Sequence, residues 1–236
     1  MSVIATRSRN SGGLVVMFVR EPEPGAVKTR LTPALGAAGA AALYRAFTED
    51  LCAALSRRFR LALACSPGTE SPHFARLRRR YGLLLLAQGT GDLGARMERV
   101  AAVALTRASR VVLVGSDAPT LPAARVEEAL RWLRRRHVAL GPSLDGGYYL
   151  LGLRAPLPEI FTHIPWGSER VLTRTLARLR TEGVSYHLLP CGYDIDTPAD
   201  VAVLRRHLAV MATLGQSPCP RTRRVLMRLG EAGRPA

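Results

Sequence analysis

Short apolar runs rich in β-formers alternate along this chain with longer segments of helical spacing, and this alternation restricts the fold more than any other feature. Strands are expected at residues 14–20, 59–65, 82–88, 111–115, 138–142, 148–153 and 184–189. Helices are expected between them, at 37–58, 72–80, 93–108, 122–136, 169–181 and 199–212. Leu93, Met97, Val100 and Ala104 recur on one helical face, and Pro122 suits the first turn of the helix it opens. Residues 138–142 and 148–153 read as two strands around a Gly-rich turn. Strands and helices alternating in this way build an α/β domain around a largely parallel sheet. A ligand then sits outside the carboxyl ends of the strands, so the loops that follow strands are where chemistry is expected. With 236 residues and no Ser/Gly linker, residues 1–214 read as one domain. Residues 215–236 read as a C-terminal tail with one helical stretch near 223–229.

Composition removes several classes. A hydrophobic content of 47% is too high for a disordered chain. The longest unbroken apolar runs, such as 83–87 and 111–114, fall far short of the roughly 18 residues of a membrane span. Arg7 and Arg9 precede an apolar stretch, 14–19, that reads as a first strand rather than a signal peptide, and the expected compartment is the cytoplasm. Cys52, Cys65, Cys191 and Cys219 show no metal-ligand spacing, and the five histidines form no H-x-x-x-H pair. Buried free thiols are expected, not a His/Cys metal site or a Cys–His nucleophile.

The formal net charge is +16, from 34 basic and 18 acidic residues, and only Lys28 among the basic ones is not arginine. The Arg runs at 57–58, 78–80, 134–136 and 223–224 mostly lie in or beside expected helices. They lack the interleaved aromatics of a single-strand binder, so they read as solvated helix faces with a weak general attraction to polyanions. No specific nucleic-acid partner and no membrane are expected, and the sequence carries no signal for an oligomeric state. The basic balance also suits a phosphate-rich substrate.

Six loops hold the candidate chemistry. The first, residues 21–31, resembles a phosphate loop: Gly25 lets backbone N–H groups approach an anion, and Lys28 and Arg30 add two cations. It is not a Walker A motif, because Val27 precedes Lys28. The second, Gly89-Thr90-Gly91-Asp92-Leu93-Gly94, is a literal G-x-G-x-x-G, yet its Asp92 would repel a pyrophosphate. Asp92 reads instead as a helix N-cap, in a loop that can still line the nucleotide site. The third ends a strand on Gly115-Ser116-Asp117, where a carboxylate is placed to hold Mg²⁺ together with phosphate oxygens. The fourth, with Asp145-Gly146-Gly147, is either a hairpin turn or a substrate wall. In the fifth, Trp166 could be an apolar lid for an acceptor or a core residue, and Ser168 could cap the next helix. In the sixth, Asp194 and Asp196 flank Ile195 and share a face if extended, a second possible ligand set. Asp200 is assigned to a capping box with Thr197. Six of the seven aspartates lie in these loops, against a strongly basic background, which suggests a cation site.

These motifs resemble a known family. Pro24-Gly25-x-x-Lys28-Thr29-Arg30-Leu31, Gly91-Asp92-Leu93-Gly94-x-Arg96-Met97, Gly115-Ser116-Asp117-x-Pro119, Asp145-Gly146-Gly147-Tyr148-Tyr149 and Asp194-Ile195-Asp196-Thr197 look like those of GT-A-type, nucleotide-diphospho-sugar transferase-like domains. More closely, the chain resembles bacterial glycosyltransferase-like proteins found with arsenosugar-pathway radical enzymes. It is similar at greater distance to 2-phospholactate guanylyltransferases and molybdopterin-type nucleotidyltransferases. The resemblance spans about residues 13–212 and implies a three-layer α/β/α sandwich with a mixed, mostly parallel sheet. It implies Mg²⁺ (or Mn²⁺) held by Asp117 with help from Asp196, and phosphates held by Lys28 and Arg30. One departure stands out: the metal strand reads Gly115-Ser116-Asp117 where glycosyltransferases of this fold usually carry D-x-D.

Motifs and resemblance together make Lys28, Arg30 and Asp117 the expected catalytic residues. The expected substrate contacts are Gly25, Thr29, Gly91, Asp92, Arg96, Ser116, Asp145, Gly146, Gly147, Trp166 and Glu169. The expected partners are a nucleotide and a small-molecule acceptor. One expectation is nucleotidyl transfer from a nucleoside triphosphate with release of pyrophosphate. A second is glycosyl transfer from a nucleotide-sugar, with Asp145 or Glu169 taking the acceptor's proton. A third is a non-enzymatic polyanion-binding module.

Overall fold

The computed structural model describes residues 13–231. Its strands are β1 (Gly13–Arg20), β2 (Arg60–Ser66), β3 (Leu84–Ala87), β4 (Arg110–Val114), β5 (Val138–Pro142), β6 (Tyr148–Leu153) and β7 (Tyr186–Leu188). Its helices are α1 (Thr32–Leu55), α2 (Pro72–Tyr81), α3 (Leu93–Leu105), α4 (Ala123–Trp132), α5 (Val171–Thr181), α6 (Pro198–Thr213) and α7 (Pro220–Glu231).

The strands form one sheet in the order β3-β2-β1-β4-β6-β5-β7. Every pairing is parallel except those of β6, which runs antiparallel to both β4 and β5. One reversed strand therefore makes the sheet mixed. Along β1, Val15, Met17 and Val19 enter one core with Leu63 and Val114, while Leu14 and Val16 enter another with Ala64 and Leu113. Both faces of the sheet are covered, which is why its central strands are apolar at nearly every position. Residues of α1, α2 and α4 fill the first core, and residues of α3 and α5 the second. This is the expected three-layer α/β/α sandwich. A third cluster joins Leu43 and Phe47 of α1 to Leu204 and Leu208 of α6 and Leu226 of α7.

The topology fixes where a ligand can bind. From β1 the chain winds outward through β2 to β3, then crosses back to β4 on the other side of β1. The order of the strands reverses between β1 and β4, so a crevice opens at their carboxyl ends. The β5–β6 hairpin turns at the same rim, because Val114 of β4 is paired with Leu150 near the start of β6.

The structure departs from the sequence reading in detail. Helix α1 starts earlier than expected and is interrupted at Gly36, whose backbone (φ 70, ψ 160) is not helical. Helix α4 ends at Trp132, and the chain to Arg136 continues as tight turns instead. Three cysteines are buried free thiols, but Cys191 is exposed, contrary to expectation. Among the described residues, no helix is long and apolar enough to cross a membrane.

Candidate active site

The loop after β1 delivers Lys28 into the switch-point crevice. Val27 packs on Ala41 and Tyr44 of α1, and Leu31 is fully buried, so the loop is anchored on both sides of the lysine. Between these anchors Lys28 takes a left-handed backbone (φ 48, ψ 41). That conformation costs a non-glycine residue about 1 kcal/mol, and such strain persists where the surroundings impose it. The side chain is almost wholly enclosed, 4% exposed, and its Nζ lies 2.5 Å from Asp117 Oδ1 and 2.8 Å from Asp196 Oδ1. Burial by itself would lower the Lys28 pKa. The charges of Asp117 and then Asp196 outweigh it and hold the ammonium above its ordinary value.

Asp196 arrives from the far end of the chain. The Ile195 amide donates to the Asp117 carbonyl at 2.9 Å, and the Ile195 side chain is buried against α1 and α6. The alternation of an extended segment then turns both Asp194 and Asp196 into the cleft. Asp194 accepts a hydrogen bond from Ser143 Oγ at 3.1 Å. Burial, and next the charges of Asp117 and Asp145, push its pKa up to about 7. Thr197 and Asp200 form a reciprocal capping box at the start of α6, so Asp200 has the structural role expected of it.

Ser116 and Tyr44 fix the tip of β4. The Tyr44 hydroxyl accepts from the Arg20 amide at 2.8 Å and lies 2.9 Å from Ser116 Oγ. Ser116 is therefore held by the protein beside Asp117. Burial, then the Asp117 charge, raises the Tyr44 pKa and keeps the phenol protonated. Gln88 is buried and donates to the carbonyls of Val19 and Ala64 at 3.0 and 2.8 Å, tying the ends of β1 and β2. Sequence reasoning missed Tyr44, Arg20 and Gln88. Tyr44 reads as one more apolar position of a core helix, and the other two carry no motif.

The opposite wall is the β5–β6 hairpin with the segment before α5. Gly146 sits on this segment: a Cβ there would lie 2.1 Å from the Glu169 carbonyl oxygen, and its φ is +85°. Trp166 lies across the start of α3, where a Cβ on Gly94 would meet its Nε1 at 2.2 Å. The third glycine of the G-x-G-x-x-G is thus a packing feature. Trp166 packs on the second core and also lines the cleft. Asp145 Oδ1 accepts from the Gly147 amide at 3.0 Å.

The cleft between these walls has a volume of about 770 Å³, within the range of small-molecule sites. Of the expected residues, it is lined by Lys28, Thr29, Arg30, Arg96, Ser116, Asp117, Asp145, Gly147, Trp166, Glu169 and Asp196. Gly25, Gly91, Asp92 and Gly146 fall outside its lining. Asp92 instead caps α3 through the Ala95 amide, the Gly91 carbonyl accepts from Arg96 Nε, and the Gly146 carbonyl accepts from the Leu172 amide. Gly25 lies in an open turn.

Asp117 and Asp196 already converge on one cation, the Lys28 ammonium, while their side chains stay 41% and 39% exposed. Two carboxylates suit a hard divalent ion that brings phosphate oxygens with it. Among the described residues there is no ready-made cage of three or more His, Cys, Asp or Glu side chains.

Several known proteins are similar to this chain. A solved structure from Desulfovibrio desulfuricans G20, a candidate nucleotide-diphospho-sugar transferase, is 33% identical, with a TM-score of 0.82 over 93% of this chain and 97% of that one. The 2-phospho-L-lactate guanylyltransferase of Methanothermobacter thermautotrophicus is 26% identical over 190 residues, covering 76% of this chain and 79% of the relative. A cytidylyltransferase from Leptospira borgpetersenii shares the fold at 14% identity, with a TM-score of 0.55 over 84% of this chain and 86% of that one. Residues 51–168, half of the chain, match the profile of a family described as an uncharacterized protein conserved in bacteria. The chain belongs to that bacterial family, DUF2064.

Proposed function

We propose that this protein is a transferase that moves a nucleotidyl group from a nucleoside triphosphate to a small phosphorylated or hydroxyl acceptor, releasing pyrophosphate. The observation that carries this reading is the Lys28–Asp117–Asp196 cluster at the switch point, in a cleft large enough for a nucleotide. An acceptor oxygen attacks the α-phosphorus. The new P–O bond forms as the bond to the bridging oxygen breaks, and pyrophosphate leaves with the electron pair. Lys28 and Arg30 bind the departing phosphates and offset the charge that grows on them. Where the acceptor is a hydroxyl, Asp145 or Glu169 on the facing wall takes its proton. Asp117 and Asp196 would hold a divalent ion, Mg²⁺ or Mn²⁺, which when bound would supply charge neutralisation at the phosphate oxygens. The relation to a guanylyltransferase supports this chemistry. On this reading the transferase unit is the chain up to residue 214, and α7 is an addition to it.

Glycosyl transfer is the second reading, and the likeness to the Desulfovibrio protein favours it. Against it, Gly115 stands where a D-x-D would place its first carboxylate, and Asp196 supplies the second carboxylate instead.

A thermal-shift panel of nucleoside triphosphates and nucleotide-sugars, with and without Mg²⁺, tests both. A ligand at 100 times its Kd adds about 2.7 kcal/mol, roughly 5–10 °C for a chain of this size. The expected result is a Mg²⁺-dependent shift by one triphosphate that is lost in Asp117→Ala, with pyrophosphate release from that triphosphate once an acceptor is supplied. A shift by a nucleotide-sugar alone moves the assignment to glycosyl transfer. No shift by any nucleotide, or an equal shift in Asp117→Ala, overturns the site.

A further inference from the structure

A second cleft lies away from the switch point, between α1, α2 and α7, with a volume of about 550 Å³. Five arginines line it: Arg45 of α1, Arg80 of α2, and Arg221, Arg224 and Arg228 of α7. Unlike the runs at 57–58 or 134–136, which are neighbours only because they are consecutive in the sequence, these five are brought together by three separate helices. Arg221, Arg224 and Arg228 follow a spacing of three and four residues, so α7 turns one edge toward the cleft. The small side chains of Ala42 and Ala46 on α1 leave room beneath them.

The negative charge nearby is already committed. Arg221 pairs with Glu49 and Asp50, and Glu49 also meets Arg76. Among the described residues, Arg45, Arg80, Arg224 and Arg228 have no carboxylate within ion-pair distance. Arg80 rests over the Tyr81 ring at 5.5 Å. Glu49 also lines the cleft but is taken up by Arg76 and Arg221, so among the described residues four guanidinium groups there have no carboxylate partner of their own. Guanidinium is a planar fork that meets phosphate oxygens two at a time. No aromatic side chain lines the cleft, so it offers no aromatic platform for successive bases of a single strand.

We infer that this cleft is a binding site for a compact polyphosphate anion, recognised through its adjoining phosphate groups, and separate from the nucleotide cleft. The inference does not rest on the transferase reading. Isothermal titration with inorganic tripolyphosphate, in low salt without metal, tests it on four proteins: wild type, Arg224→Gln/Arg228→Gln, Lys28→Met, and a charge-matched Arg134→Gln/Arg135→Gln control. All the substituted arginines are exposed, so the variants are expected to fold, and melting curves check this. The expected result is saturable binding that weakens at least tenfold in Arg224→Gln/Arg228→Gln and stays within twofold of wild type in the other two. Retained binding in a triphosphate titration of Lys28→Met extends the site to the phosphate tail of a nucleotide. Loss of all binding in Lys28→Met instead places the anion in the nucleotide cleft alone and overturns the inference. So does an equal loss in the Arg134/Arg135 control, which would make the effect one of net charge. Absence of binding, or binding of a single-stranded oligonucleotide in preference to tripolyphosphate, overturns it as well.

Discussion

Lys28 is the only lysine among 34 basic residues, and its surroundings explain why arginine does not serve there. Two carboxylate oxygens reach its ammonium at 2.5 and 2.8 Å inside an enclosed space, which a compact point charge can occupy. A guanidinium is broader and needs partners in its plane. On the proposed reading, Lys28→Arg and Lys28→Met are both expected to lower pyrophosphate release by at least about 100-fold. On the proposed reading, the same geometry makes the lysine a competitor for a metal at Asp117 and Asp196. In Lys28→Met, Asp117 and Asp196 face one another with no cation between them. Mn²⁺ titrated without nucleotide, with the free ion read by electron paramagnetic resonance, is expected to bind this variant more tightly than wild type. Equal affinity would mean that ammonium and metal do not share the carboxylate pair.

Helix α7 shows how an element that begins outside every motif is secured. Its first turn is capped from another helix: Asp50 of α1 accepts from the amides of Arg221 and Thr222 at 3.2 and 2.8 Å and pairs with the Arg221 guanidinium. Removing a cap costs about 1–2 kcal/mol. Asp50→Ala is expected to lower the melting temperature by roughly 3–8 °C, with earlier proteolysis in the segment before Pro220. An unchanged melting curve would assign the docking of α7 to Leu226 and its apolar neighbours alone. Asp50 also marks where the sequence stops being legible. The strands could be read because burial on both faces leaves continuous apolar runs, and the capping roles of Asp92 and Asp200 because they act within a few residues. Asp50 acts on a helix 171 residues away, and Lys28 meets Asp196 across 168. Such pairings leave no local pattern. The loops of the site were legible as loops of small and charged residues, but their juxtaposition depends on Ile195 and Tyr44, whose side chains read only as core.

At the scale of the whole molecule, the formal charge of +16 surrounds a cleft meant, on the reading above, for a polyanion. Such a field raises the encounter rate of an anionic substrate and is screened by salt. Raising NaCl from about 50 to 300 mM is expected to lower kcat/KM for the triphosphate severalfold while kcat changes less than twofold. A parallel fall in kcat would show that salt acts on the chemical step instead. The sheet adds a different asymmetry. The wall holding Lys28, Asp117 and Asp196 is assembled from segments spread along most of the chain, so a length change in any of them disturbs the others. The facing wall includes a hairpin whose two ends, Pro142 and Tyr148, are already paired with each other. Because β6 is the one reversed strand, that hairpin leaves and re-enters the sheet at a single rim. Its tip is nevertheless tied on both sides, Ser143 to Asp194 and the Gly146 carbonyl to the Leu172 amide, so a change of length there reaches the acidic wall and α5 together.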